Sequence, residues 1–439
     1  MLFVGPWVKG RIDFAAMPAV TTFMALEDLT VMQSKVTVEQ SDIDNRFAQL
    51  YPDGYNPADV HLPMDNLDDV ALINYTSGST GSPKGVMLTN RNLSSNVVYA
   101  QANIPNYHGL TFVSMLPLAH MFGLMFDFIY QLAGGTHVYF ITKSLTPALL
   151  MKAFHDVQPY MILTVPLVIE KIFKKKIFPT IQKPLIKVLW YTPLINIPIR
   201  NKVYKALMQA FGGKLQFLIV GGAALNQDVE RCLRQIHFPY TCGYGMTECG
   251  PLVCYERWNK YAFKSCGKII DRMELRIDSE NPRKVAGEIL LKGDGVMRGY
   301  YKNIQATDNA FTDDGWMRTG DIGIVDRKGN LYLRGRSKNM ILGASGQNIY
   351  PEEIEDKLNS LDGVAESVVI ERNGKLIGLV FPEMQQIEDN IEKITQLMQD
   401  NLQKLNKLLP GYSKVSDIEI MDKEFEKTPK KSIKRFLYK

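Results

Sequence analysis

Tyr75-Thr76-Ser77-Gly78-Ser79-Thr80-Gly81-Ser82-Pro83-Lys84-Gly85 is the stretch on which the reading of this chain turns. It follows an apolar run, Val70-Ala71-Leu72-Ile73, that reads as a strand end. Glycines let backbone N–H groups turn inward, hydroxyls add donors, and Lys84 adds a point charge after the turn set by Pro83. These are the parts of a loop that wraps a polyphosphate. A flexible Gly/Ser linker is the plainer alternative, but a linker rarely ends in Pro-Lys-Gly and runs straight into an amphipathic segment. The common NTPase loop needs glycine before its lysine and Ser or Thr after it, to hold magnesium. Here Pro83 precedes Lys84 and Gly85 follows, which argues against a kinase or ATPase of that type.

Working outward, 439 residues predict more than one domain, and 46% hydrophobic with 22% charged residues predicts an ordinary globular chain with a large core. A net charge of +5 suits an anionic ligand or a membrane surface without choosing between them. Cys232, Cys242, Cys249, Cys254 and Cys266 are odd in number and contain no C-x-x-C pair, so reduced thiols are expected and zinc is not. The most apolar region, Thr111 to Ala133, is interrupted by His120 and Asp127, and reads as core rather than a membrane span. Residues 1–66 read as irregular, apart from a strand at Leu2-Phe3-Val4. Asn90 begins a helix, and Val113 to Gly123 reads as a buried strand running into a turn.

From position alone, His120 is a core histidine. Residues 160–210 interleave lysines (Lys174, Lys175, Lys176, Lys183, Lys187, Lys202, Lys205) with Leu, Ile, Trp190 and Tyr191. This pattern reads either as the solvated face of core helices or as contact with a membrane surface through 172–205. Leu215 to Val220 reads as a strand ending in Gly221-Gly222-Ala223, where small residues let a flat ligand approach the backbone. Gly243-Tyr244-Gly245-Met246-Thr247-Glu248 alone is a turn with an aromatic and an acid, and Thr319-Gly320-Asp321 alone is a surface turn.

In this order, the stretches resemble the motifs of the adenylate-forming superfamily, of the long-chain fatty acid–CoA ligase type. The likeness runs over nearly the whole chain. It implies an α/β fold: a large domain over 1–337, shortened at its N-terminus, and a small mobile α+β domain over 338–439. Lys338 falls at the hinge. The small domain is expected to hold a helix at 351–361, strands near 365–371 and 375–381, and a helix near 386–408. The resemblance gives Thr76, Ser77, Gly78, Ser79, Thr80, Gly81 and Lys84 to the ATP phosphates, with Gly222, Ala223 and Gly245 beside the nucleotide. Tyr244 is expected to stack on adenine, Thr247 to donate to the α-phosphate, Glu248 to hold Mg2+, and Asp321 to accept the ribose hydroxyls with Arg336 beside it. It also reverses the reading of His120, which becomes the gate of the acyl pocket with Gly221 and Gly245. Gly343 and Gly346 accompany Lys338 on the coenzyme A side.

The tail departs from the family pattern K-T-x-x-G-K-x-x-R. Aligned on Lys427 and Arg435, the second lysine position is Ser432, and Lys431 is the catalytic candidate one residue away. The implied reaction joins a fatty acid to coenzyme A through an acyl-adenylate, with ATP, Mg2+ and coenzyme A required and no nucleic acid. It would occur in the cytoplasm, with peripheral contact at the inner face of the membrane. Two alternatives stay open: another acid or a carrier-protein acceptor within the superfamily, or a non-catalytic binder of nucleotide or acyl group.

Overall fold

The computed structural model describes residues 1–5, 9–37, 40–60, 66–76, 83–142, 145–343, 347–383, 391–427 and 433–438. By its internal contacts the chain divides into Met1–Asp65 and Asn66–Lys439. The first unit is more ordered than its sequence suggests. Leu2–Val4 pairs in parallel with Thr22–Ala25, which pairs antiparallel with Val31–Ser34. Val4, Phe14 and Phe23 make a small core, the two rings 4.4 Å apart. A helix, Gln40–Leu50, follows. The expectation of irregular structure for 1–66 is corrected on both counts. The sheet was hidden by strands of three or four residues, and the helix by a mostly polar sequence.

The second unit is built on a five-stranded parallel sheet. Its spatial order is Tyr240–Cys242, Phe217–Val220, Met161–Thr164, Thr111–Ser114, His137–Phe140. Alternate residues of these strands enter two different cores. Phe112, Leu163 and Ile219 face one, and Val113, Ile162, Leu218 and Val220 face the other. Both faces are therefore covered, which is why the strands read as continuous apolar runs. Thr111–Ser114 is followed on one side by His137–Phe140, and the next strand in sequence, Met161–Thr164, lies on its other side. The strand order reverses there. Open α/β sheets take their ligands at such a switch point, beyond the carboxyl ends of the strands.

Thr111 to Ala133 is core, as expected: Met121, Met125, Phe126 and Tyr130 are buried around a π-helical stretch, Leu124–Ile129. Val70–Thr76 and Lys84–Thr89 form an antiparallel hairpin extended by Gly299–Tyr300. The helix Asn90–Asn103 starts where expected, capped by Thr89. A four-stranded antiparallel sheet comprises Met273–Asp278, Gly287–Gly293, Met317–Val325 and Leu331–Arg336. Residues beyond 338 carry helix Pro351–Leu358, strands Val364–Arg372 and Lys375–Pro382, helix Ile391–Leu408 and strand Val415–Ile420 over their own core. Polar contacts tie this region to the rest of the unit: Lys174 to Glu383 at 3.1 Å, Asn226 to Ser360 at 2.9 Å, Arg334 to Glu353 at 2.9 Å, and Gln227 to Asp356. All five cysteines are free. Among the described residues no helix is long and apolar enough to cross a membrane.

Candidate active site

Two polar clusters gather residues that are far apart in sequence. The first lies beside the phosphate-type loop. Thr76 and Lys84 are register partners that close the hairpin around it. Ser77, Gly78, Ser79, Thr80 and Gly81 lie outside the described residues. The Lys84 ammonium sits 4.8 Å from the centroid of the Tyr300 ring. The Tyr300 hydroxyl donates to Glu248 Oε1 at 3.0 Å, and the Met297 N–H donates to the Glu248 carbonyl at 2.8 Å. Strand pairing fixes this arrangement, because Tyr300 is registered on Val86, two residues beyond Lys84. Burial and the Glu248 carboxylate hold the Tyr300 phenol above its ordinary pKa, as a donor. Among the described residues neither Lys84 nor Glu248 has an ion-pair partner. A lysine and an acid held by the ring and the hydroxyl of one tyrosine, neither ion-paired among the described residues, suit a phosphate with its divalent cation. Thr247, just before Glu248, is buried on the same turn.

The second cluster is Tyr244, Asp321 and Arg336. Asp321 and Arg336 face each other across neighbouring antiparallel strands, and Arg336 Nε lies 2.7 Å from Asp321 Oδ1. The Tyr244 hydroxyl donates to Asp321 Oδ2 at 2.6 Å. Burial pushes the Asp321 carboxyl up, against the opposing pull of Arg336 and the tyrosine hydroxyl. Each carboxylate oxygen keeps a lone pair for a further donor. Tyr244 is only 7% exposed, which leaves little ring face for a base. What the structure shows is an anchor for Asp321. Gly245, next to it, is exposed, and a Cβ there would run into the Pro251 carbonyl.

At the switch point, Met115 to His120 leaves the end of its strand. Asp127 Oδ2 accepts the Met115 and Leu116 N–H groups at 3.0 Å each. Asn74, two residues before Thr76, donates to the Ala119 carbonyl at 3.1 Å. His120 is half-buried and precedes the short helix Met121–Gly123. A Cβ on Gly221 would sit 3.0 Å from the Phe122 ring, so Gly221 and the segment after His120 share one wall. Gly222, at φ +86°, and Ala223 are exposed just beyond.

Lys338 is exposed on the turn Ser337–Asn339, directly after the strand that carries Arg336. The Gly343 N–H donates to the Gln347 carbonyl at 2.9 Å. Gly346, Lys431 and Ser432 lie outside the described residues. Reading the sequence missed Tyr300, Asn74 and Asp127. Only Asp127 left a signal, as an acid inside an apolar run.

Comparison with known proteins gives the family and the fold. Residues 15–301 match the model of the AMP-binding enzyme family, and residues 338–438 match that of the AMP-binding enzyme C-terminal domain. The chain belongs to the AMP-binding enzyme family. Long-chain-fatty-acid–CoA ligase 4 of Saccharomyces cerevisiae is 32% identical over 347 residues, covering 74% of this chain and 50% of the relative. Long-chain-fatty-acid–CoA ligase FadD15 of Mycobacterium bovis is 31% identical over 340 residues, covering 71% and 54%. This AMP-binding chain thus spans about half the length of the curated relatives it matches. Among solved structures, ATP-bound MatB of Rhodopseudomonas palustris superposes with a TM-score of 0.72 at 20% identity, covering 99% of this chain and 78% of that one. A second, O-succinylbenzoate coenzyme A synthetase of Bacillus subtilis in complex with ATP and magnesium, gives 0.66 at 22% identity, covering 86% and 72%. These likenesses show the adenylate-forming fold.

Proposed function

We propose that this chain activates a long-chain fatty acid with ATP to an acyl-adenylate, releasing pyrophosphate, and then passes the acyl group to the thiol of coenzyme A, releasing AMP. The observation that carries the reading is the convergence of Lys84, Tyr300 and Glu248 in one cluster and Tyr244, Asp321 and Arg336 in another. A carboxylate oxygen of the acid attacks the α-phosphorus, and the bond from that phosphorus to pyrophosphate breaks. The reading gives Lys84 and the loop residues Thr76–Gly81 to the phosphates, Thr247 to the α-phosphate, and Asp321 with Arg336 to the ribose. Glu248 would hold Mg2+, which when bound neutralises phosphate charge. His120, Gly221 and Gly245 flank the acyl entrance. The thiol sulfur then attacks the acyl carbon and AMP leaves. Catalysis is positioning and charge neutralisation.

The small region 338–439 would swing about Lys338 between the two steps, with Gly343 and Gly346 on the coenzyme A side and Lys431 as the cation of the first. The choice of a long chain is supported by the names of the curated relatives and by the Met- and Phe-rich wall after His120. Acid-dependent ATP–pyrophosphate exchange with acids of eight to eighteen carbons tests the first step. Thioester formation with coenzyme A against a phosphopantetheine carrier tests the second. No exchange with any of these acids would sink the reading. It would favour a non-catalytic nucleotide or acyl binder, which Ser432 at the family's lysine position supports.

We also propose peripheral contact with an anionic membrane through 172–205. From Lys171 to Gln227 the chain has ten Lys and Arg and no Asp or Glu. The helices Pro184–Tyr191 and Asn196–Ala210 and the turn between them expose Leu185 (70%), Val188 (65%) and Leu194 (80%). Exposed apolar side chains in a stretch whose cations have no acid of their own segment suit a negatively charged lipid surface, Lys174 alone being paired, with Glu383, among the described residues.

A further inference from the structure

We propose that Tyr300 is a positioning residue that sets the separation between the phosphate-side lysine and the metal-side acid. The proposal rests on the nucleotide reading of this site. Tyr300 touches both groups through different parts of its side chain: the ring lies under the Lys84 ammonium and the hydroxyl donates to Glu248. Its backbone is fixed by main-chain and Thr307 contacts that involve neither the Lys84 ammonium nor the Glu248 carboxylate. The Tyr300 N–H donates to Thr307 Oγ1 at 2.9 Å, and the Tyr301 N–H donates to the Gly85 carbonyl at 2.7 Å. Gly299 takes φ +147°, and a Cβ there would clash with Thr307 Cγ2 at 2.8 Å, so the turn that delivers the ring tolerates no side chain before it.

The two contacts divide the work. An ammonium over an aromatic face is held loosely enough to move onto a phosphate oxygen, while the ring keeps its charge from folding back onto Glu248. The phenol occupies one oxygen of Glu248 and orients the carboxylate, leaving the other oxygen for a cation. This is the support that ligating carboxylates ordinarily receive from a neighbouring donor. A ring serving only as packing would need no hydroxyl at this place.

The test separates ring from hydroxyl. Tyr300→Phe keeps the ring under Lys84 and removes the donor to Glu248. Nucleotide affinity measured calorimetrically without Mg2+ should stay at the wild-type value, while the Mg2+ concentration that half-maximally enhances ATP binding rises about tenfold, the scale of one charge-assisted hydrogen bond. Tyr300→Leu should add a loss of about threefold or more in metal-free ATP affinity, a loss that disappears in a Lys84→Met background. Circular dichroism and melting temperature establish that each variant is folded. Should Tyr300→Leu not fold, the Tyr300→Phe arm decides alone. An unchanged Mg2+ dependence in Tyr300→Phe overturns this inference and leaves the nucleotide reading standing. Failure of the wild-type protein to bind ATP removes both.

Discussion

Asp127 allows a prediction whose sign and size both come from the structure. It is fully buried, one oxygen accepts two backbone N–H groups, and its other oxygen, Oδ1, has no partner among the described residues. Burial pushes its carboxyl from the ordinary 3.8 up to about 7, against the pull of the Leu116 and Met115 amides and of the Ser114 hydroxyl. A group whose folded pKa is raised favours folding in its protonated form. That contribution is present below pH 4, is lost as pH rises towards 7, and changes no further above it. Three units correspond to about 4 kcal/mol between the two plateaus, at 1.36 kcal/mol per unit. Asp127→Asn keeps an acceptor for the two amides and removes the titration. The difference in unfolding free energy between variant and wild type should therefore move in the variant's favour by about 4 kcal/mol from pH 4 to pH 8. Melting temperature or denaturant midpoint, followed for both proteins across that range, reads it. The gap between the two curves should change steadily in favour of Asp127→Asn as pH rises from 4 to 8. Two parallel curves would mean that Asp127 does not titrate in this window, and that its Oδ1 finds a partner which keeps it ionised.

Two further expectations concern the second cluster and the basic face. Asp321→Asn removes the counter-charge of Arg336, which is 55% exposed and can rehydrate. Stability should thus fall by no more than about 1 kcal/mol, while ATP affinity by calorimetry falls about tenfold or more through weaker acceptance of the ribose hydroxyls. An affinity that does not change would remove Asp321 from the nucleotide site. On the basic face, Leu185→Ser, Val188→Ser and Leu194→Ser together should cut co-sedimentation with anionic vesicles at least tenfold, since burying even one such side chain is worth about 1.5–3 kcal/mol. Binding as strong as wild type, or wild-type binding equal on neutral and anionic vesicles, would count against the membrane reading.

The legible part of the site was the part carried by consecutive residues. Only the loop at Thr76–Gly85 announces itself locally; the Tyr244–Glu248 turn and Thr319-Gly320-Asp321 are ordinary turns taken singly, and gain meaning from standing in that order after the loop. What was hidden depends on strand order and register. Tyr300 reaches Glu248 and Lys84 only because Gly299–Tyr300 pairs with Lys84–Thr89. Asp321 meets Arg336 because the two are cross-strand partners. The switch point beside Ser114 exists only once Met161–Thr164 is known to lie on the far side of its neighbour. Periodicity cannot supply any of these, since it reports which face a residue takes and not which strand lies next to it. Asp127 is an intermediate case. The sequence places an acid in an apolar run, and only the fold shows that its oxygen holds the backbone leading to His120.

The same logic bears on the tail, where the family's lysine position holds Ser432. Cations around it are plentiful, but those among the described residues are already engaged. Lys427 Nζ lies 2.8 Å from Glu366 and 3.4 Å from Glu424. Lys434 pairs with Glu426 at 3.1 Å. Arg435 pairs with Glu355 at 2.6 Å, with both side chains largely buried, and donates to the Val369 carbonyl at 3.1 Å. Withdrawing Arg435 would leave the Glu355 charge buried and unpaired, at a cost of about 3–5 kcal/mol. That pair is therefore an anchor for the segment and not a reserve of positive charge. Lys434 is the weakest of these links, since Glu426 is 65% exposed and an exposed pair costs less than about 1 kcal/mol to open. For the proposed adenylation step, Lys434 released from Glu426 is the cation among the described residues that costs least to recruit, while Lys430 and Lys431 lie outside the described residues. Lys431 needs the smallest departure from the family's spacing, a single residue, and it lies between two points, Lys427 and Arg435, that the small region holds by ion pairs of its own.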